Sequence, residues 1–181
     1  MASGRWKKLS SKIVYKTPWI RVREDKIIRP DGSHGVYSLV QTKGPAVMIV
    51  PISDNNEVYL IKHSRYTVAG DSWEVPGGNS DGEEILSAAK RELVEETGLA
   101  AKNWELIGQS QSMNGITDEK TYTFIAKDLK QTKSNAMKEE GILEIKQVPF
   151  NKVLEMIKKS EITDGQSIVA IMKAALFFRI A

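Results

Sequence analysis

Residues 77–99 read GGNSDGEEILSAAKRELVEETGL, and this stretch decides the fold. Ile85, Ala88, Ala89 and Leu93 recur at helical spacing, so a helix is expected over Glu84–Thr97. Asp81 or Gly82 can start it, and Gly98 stops it as a C-terminal cap. Within that helix Glu92, Glu95 and Glu96 stand at i, i+3 and i+4, which puts three negative charges on one face. Like charges at that spacing repel by a few tenths of a kcal/mol per pair. They also sit toward the C-terminal end, where the helix dipole already disfavours anions. A helix shaped for stability alone would carry lysine or arginine there. A divalent cation removes the conflict, and the neighbouring Arg91 can fix one carboxylate through a bidentate pair. A lone Glu-x-x-Glu-Glu is more often just a solvated helix face.

Outward from this helix, the preceding chain reads as strands. Residues 11–43 suggest an N-terminal hairpin, with partial alternation at Ile20 and Val22, a turn at Arg29-Pro30-Asp31-Gly32 and a strand at Val36–Val40. After Gly44-Pro45, the apolar run Ala46–Ile52 reads as a buried strand and Val58–Ile61 as its return. Residues 64–82 read as a loop around one short strand, Trp73–Val75. Strands are expected at Trp104–Gln109, Tyr122–Ala126 and Leu143–Val148, and helices at Asn151–Ser160 and Ser167–Phe178. The order of strands, helix, strands and helices predicts an α/β (α+β) fold, a mixed sheet sandwiched between helices. The chain divides into a β-strand extension, 1–43, and a main domain, 44–181.

Composition narrows the chemistry. The chain has 181 residues, 41% of them hydrophobic, enough for a core. Without cysteine it has neither disulfides nor thiolate-bound zinc. With two histidines, His34 and His63, read as structural or surface residues, a bound metal is expected on oxygen ligands, which favour magnesium or manganese. The formal charge of +3 is mild and spread along the chain, with no long basic run to argue for nucleic acid. No apolar stretch reaches membrane-helix length, and Met1–Lys8 does not read as a secretory signal, so a cytoplasmic location is expected.

The full spacing carries more than the carboxylates alone. Gly77, five residues, Glu83, seven residues, Arg91-Glu92-Leu93, one residue, Glu95-Glu96, one residue and Gly98-Leu99 resembles the signature of the Nudix hydrolase superfamily. The strict count starts at Gly77, the first glycine of the pair, so the loop Asn79–Gly82 reads as one residue shorter than in many members. The resemblance implies that Glu92, Glu95 and Glu96 bind metal, joined by the Gly77 carbonyl, with Glu83 acting through water or through Arg91.

Residues 14–176 also resemble one branch, the ADP-ribose and nucleoside diphosphate sugar pyrophosphatases. The segments that carry this are Thr17-Pro18-Trp19-Ile20-Arg21-Val22, Ser64-Arg65-Tyr66 with Trp73–Gly78, Asp118–Tyr122, Glu139-Glu140 with Glu144–Pro149, and Ile162–Gly165. The branch implies substrate contacts from Trp19, Arg65 and Gly78, and a catalytic set of Glu140, Glu139, Glu95 and Arg91. Trp19 reads either as a core residue or as a stacking platform for a nucleobase. Arg65 is a surface arginine or a bidentate phosphate clamp. Glu140, with Glu139 second, is ordinary surface charge or the general base, on a loop that closes over substrate. Glu119 is a further acidic candidate. The branch further implies a homodimer through the N-terminal hairpin, with a nucleotide sugar as substrate. The function expected is magnesium-dependent cleavage of a nucleoside diphosphate sugar, ADP-ribose foremost, to a nucleoside monophosphate and a sugar phosphate. The alternatives are a (d)NTP-sanitising pyrophosphohydrolase and a non-catalytic nucleotide sensor.

Overall fold

The computed structural model describes residues 4–132 and 137–180. Three strands open it: β1 (Lys7–Lys16), β2 (Ile20–Ile28) and β3 (His34–Thr42), paired antiparallel in that order. The expected hairpin is therefore a three-stranded sheet. β1 escaped the sequence reading because it has no hydrophobic alternation to bury, and all ten of its residues are exposed. The turn at residues 29–33 is as expected, closed by Arg29 N–H donating to the Ser33 carbonyl at 2.8 Å.

The rest of the described chain forms two sheets and three helices. One sheet orders β7 (Gly77–Asn79), β4 (Ala46–Pro51), β9 (Thr121–Gln131) and β8 (Leu99–Ser110). In it β4 runs parallel to β9 and antiparallel to β7, so the sheet is mixed. The other orders β10 (Ile142–Pro149), β5 (Glu57–Arg65) and β6 (Gly70–Glu74). The segment expected to be one loop around Trp73–Val75 instead holds the end of β5 and all of β6 and β7. Gly70, Gly77 and Gly78 sit within short ladders rather than between them.

The alternation along β4 organises two cores. Val47 and Ile49 pack on one face against Ala88, Ala89 and Leu93 of α1 (Ile85–Thr97). Met48 and Val50 point the other way, toward β5 and toward α2 (Phe150–Lys158) and α3 (Gly165–Phe177). Leu93 is fully buried, so its replacement by alanine would cost about 2–5 kcal/mol.

Helix α1 begins one turn later than Asp81 or Gly82 would start it. Glu84 is its N-cap, accepting from Ser87 N–H at 3.0 Å. Its end is as the sequence predicts: Gly98 takes a left-handed φ of 67°, and its amide donates to the Val94 carbonyl at 2.8 Å. Among the described residues no helix is long and apolar enough to cross a membrane.

Candidate active site

The face of α1 that carries the glutamates is not a solvated surface. Glu92 is 8% exposed and Glu96 3%, while Glu95 is half-buried. The helix lies against β7, so its carboxylates meet the two glycines of that strand. Gly77 N–H donates to Glu96 Oε2 at 2.7 Å. The Glu92 carboxylate occupies the space where a side chain at Gly78 would begin. Close approach rather than backbone conformation calls for glycine at Gly77, where a Cβ would fall on the Val47 carbonyl oxygen, while a Cβ at Gly78 would meet only the Glu92 side chain.

Arg91 is the hub of this arrangement. Its Nε donates to Glu83 Oε1 at 3.1 Å, and Nη1 to Glu92 Oε1 and Glu95 Oε2, each at 2.9 Å. Nη2 donates to the Asn79 carbonyl at 3.1 Å, which ties the loop before the helix to the helix itself. Glu83, which the sequence places in Arg91's orbit, is found there.

The electrostatics follow from burial. Desolvation pushes the Glu96 carboxyl up to about 8, against the opposing bond from Gly77, with the charges of Glu92 and Glu140 adding to the rise. Burial also raises Glu92, opposed by Arg91. Glu140 belongs to the segment between β9 and β10. It sits in the turn 137–141, closed by Ile142 N–H on the Met137 carbonyl at 2.8 Å. Glu139 is in the same turn and exposed. Ala136, which the sequence places in the same loop, lies outside the described residues.

A cleft of about 300 Å³ opens beside the glycines, lined by Arg65, Gly77, Gly78, Glu119 and Asp164 among others. Arg65 enters it from the end of β5 with its Nε and Nη2 edge committed to Glu74, at 3.0 and 2.5 Å. That bidentate pair with a 3%-exposed carboxylate fixes the guanidinium plane at the wall of the cleft.

Trp19 stands apart. It is 74% exposed on the turn between β1 and β2, which rules out a core role within the chain. Its own groove of about 290 Å³ is shared with Arg21, Thr42 and Lys43, not with the carboxylates. Another recess, about 480 Å³, lies elsewhere again, between the N-terminal sheet and the segment before β9. Trp6, Arg23, Tyr37 and Asp118 line it. Asp118 faces this recess while Glu119 faces the cleft, so one short segment borders both.

Sequence reasoning missed Glu74, Asp164 and His63. A lone glutamate between Trp73 and Val75 in an apolar strand was the available signal for Glu74. Asp164 was legible as a helix cap, since its carboxylate accepts from Ser167 N–H at 2.7 Å. His63 carried no motif, yet it is buried at 8% exposure between Arg65 and the turn that holds Glu140.

The donor set suits a hard divalent cation. Among the described residues, Glu96 has only the Gly77 amide as a hydrogen-bond partner. A buried carboxylate with a single neutral donor is costly unless a cation joins it. Among the same residues no three acidic or histidine side chains already form a closed cage. Glu92, Glu95 and Glu96 each commit one carboxylate oxygen, the first two to Arg91 and the third to the Gly77 amide, and each keeps its other oxygen for a cation.

A model of the NUDIX domain matches residues 42–168, and a model of the nucleoside diphosphate sugar hydrolase N-terminal domain matches residues 6–40. The chain is 27% identical over 175 residues to an ADP-ribose pyrophosphatase of Mycobacterium tuberculosis, covering 95% of this chain and 84% of that protein. It is 25% identical over 173 residues to an ADP-ribose pyrophosphatase of Bacillus subtilis, covering 94% and 93%. A crystal structure of an ADP compounds hydrolase superposes with a TM-score of 0.85 at 21% identity, covering 97% of this chain and 95% of that one, a likeness of fold.

Proposed function

The chain belongs to the NUDIX hydrolase family, whose members generally use a divalent metal, and from that premise we propose that it cleaves the pyrophosphate bond of a nucleoside diphosphate sugar, ADP-ribose foremost. The observation that carries this reading is the pair of buried carboxylates, Glu92 and Glu96, set against Gly77 and Gly78 at the mouth of a cleft that Arg65 enters. Extended carboxylates with too few donors, beside an anchored guanidinium, suit a diphosphate that arrives with its counter-cations.

Glu92 and Glu96 would hold magnesium or manganese, with Glu95 and the Gly77 carbonyl as further oxygen donors. When bound, such a cation supplies positive charge to the phosphate oxygens and acidifies water. Arg91 holds Glu92 and Glu95 in fixed rotamers, so the acidic face is shaped before ligand arrives. Arg65 directs its remaining N–H groups at a phosphate oxygen, its plane already set by Glu74. Gly78 lets the diphosphate approach the backbone. Glu140, with Glu139 second, accepts the proton of the attacking water from the turn 137–141, which Ser64 N–H ties to the end of β5 through the Gly141 carbonyl at 3.0 Å. Water adds to one phosphorus, the bridging P–O bond breaks, and a nucleoside monophosphate and a sugar phosphate leave.

Trp19 offers an exposed ring for a nucleobase. It is far from being enclosed within one chain, and β1 exposes Leu9, Ile13 and Tyr15 along its length. Both features support a homodimer in which residues 1–43 form the dimerising extension and 44–181 the hydrolase domain, with the base held partly by the second copy. A cytoplasmic location fits a substrate of this kind.

The test is a product assay with magnesium over ADP-ribose, ADP-glucose, GDP-mannose, UDP-glucose and dGTP. AMP and a sugar phosphate from the first two support the reading. Turnover of dGTP alone would make the protein a nucleotide-pool cleaner, and tight nucleotide binding without turnover would make it a sensor.

A further inference from the structure

One wall of the cleft is the start of α3, and the chemistry so far gives that wall no task. Asp164 and Gln166 line it, in the same recess as Arg65, Gly77 and Gly78, and both are half-buried. Their placement is fixed by the fold. Asp164 caps α3, its Oδ2 accepting from Ser167 N–H at 2.7 Å. Ser167 is fully buried, and its Oγ accepts from Val75 N–H at 3.1 Å. Two residues after Val75 the chain reaches Gly77, whose N–H donates to Glu96. The start of α3 and the acidic face of α1 are thus tied to one short segment, 75–77, and their spacing is set before a ligand arrives.

What the two side chains leave unused decides what they can take. Asp164 Oδ1 accepts no hydrogen bond from the described residues, and the Gln166 side chain makes none with them. The fold does not call for either group. Serine or asparagine caps a helix as well as aspartate does, so capping leaves the second oxygen of Asp164 unexplained. Arg65 already meets both oxygens of Glu74, so it needs no second carboxylate. An anionic acceptor on the cleft wall repels a phosphate and receives only a donor. A nucleobase carries donors, but no residue lining the cleft is aromatic, and Ala46 and Met48 are its only wholly apolar side chains. Sugar hydroxyls both donate and accept. A carboxylate oxygen beside an amide suits a neighbouring pair of them, the first donating to Asp164 and the second exchanging a hydrogen bond with Gln166.

We propose that Asp164 and Gln166 bind the sugar that lies beyond the diphosphate, and so determine which nucleoside diphosphate sugar the enzyme prefers. The proposal rests on the pyrophosphatase reading of this cleft. It divides the substrate among three places: the diphosphate on the cation-binding carboxylates and Arg65, the sugar on the start of α3, and the base outside this cleft.

The test is product inhibition of magnesium-dependent ADP-ribose hydrolysis by ribose 5-phosphate and by AMP, each reporting one end of the substrate. It compares wild type, Asp164→Ser and Gln166→Ala, with folding followed by circular dichroism. Serine keeps a cap for α3 and removes the second oxygen. The inhibition constant of ribose 5-phosphate should rise about tenfold in Asp164→Ser and about threefold in Gln166→Ala, while that of AMP stays within about twofold of wild type. KM for ADP-ribose should rise in parallel, and the preference between ADP-ribose and ADP-glucose should change. Unchanged inhibition by ribose 5-phosphate in both variants, or a loss of AMP inhibition as large, would overturn the proposal. Wild-type turnover of ADP-ribose would leave the pyrophosphatase reading standing in that case. A wild-type protein that cleaves no nucleoside diphosphate sugar would remove both. Should Asp164→Ser fail to fold, Gln166→Ala decides by the same comparison of the two products.

Discussion

The amide of Gly77 donates to Glu96 Oε2 across 2.7 Å, tying the strand before α1 to the last turn of that helix. The neighbouring glycine meets Glu92 in the same way by contact. The two substitutions should therefore separate stability from activity. Gly77→Ala drives a methyl into the backbone of Val47 and should cost about 1–3 kcal/mol in thermal or urea denaturation. Gly78→Ala meets only the flexible end of Glu92, which can swing away. Its melting temperature should stay near wild type while turnover falls about tenfold or more. Equal effects on both quantities in both variants would contradict the packing.

Replacing Glu96 by glutamine should lower turnover by roughly a hundredfold or more, since a ligand for the cation is lost. The same change should raise the melting temperature measured in EDTA, because a buried carboxyl that resists ionisation no longer has to choose between charge and burial. An enzyme that keeps wild-type rates after this change would remove Glu96 from the metal site.

The raised carboxyl of Glu96 also sets a pH dependence for the metal-free protein. Below about 4.5, its ordinary value, the group is protonated in both folded and unfolded chains and favours neither. Between 4.5 and about 8 the unfolded chain loses that proton while the folded one keeps it, so stability falls as pH rises and the loss is complete above about 8. Melting curves in EDTA should decline across this window. Adding magnesium should flatten the decline, and Glu96→Gln should reduce its slope. A metal-free melting temperature that rises from pH 5 to 8 would reverse the sign of this linkage.

Trp19→Ala should leave the fold intact, because the ring is 74% exposed, and raise KM on the order of tenfold with a smaller effect on kcat. Trp6→Ala provides the contrast, being in the larger recess with Tyr37 at a ring separation of 5.6 Å. A KM effect confined to Trp6→Ala would move the base platform from the turn to the recess.

The body and C-terminal end of the acidic helix were legible, because its apolar spacing, its capping Gly98 and its clustered Glu92 and Glu96 are all local signals. The mixed sheet followed from the order of elements and from the apolar run of β4. β1 was not legible, since a strand exposed on both faces leaves no periodicity in its residues. The Arg65–Glu74 clamp spans nine residues and two strands, and the His63 ring lies beside Gly141, more than seventy residues further along. Such partners are set by the pairing of β5 with β6 and β10, which no local pattern encodes. The choice of Glu84 over Asp81 as helix cap turned on backbone geometry at Asp81, whose φ is 51°.

The first strand lies at the border of its sheet with one row of backbone groups unpaired, and it carries Lys7, Lys8, Lys12 and Lys16. Open borders of that kind invite end-to-end accretion into filaments, and spaced ammonium groups are an effective deterrent, since each added copy would bring another row of positive charge into register. Association through the flat of the sheet suffers no such runaway: it stops at two. The lysines of β1 thus guard the open border of the sheet and leave its flat face uncovered.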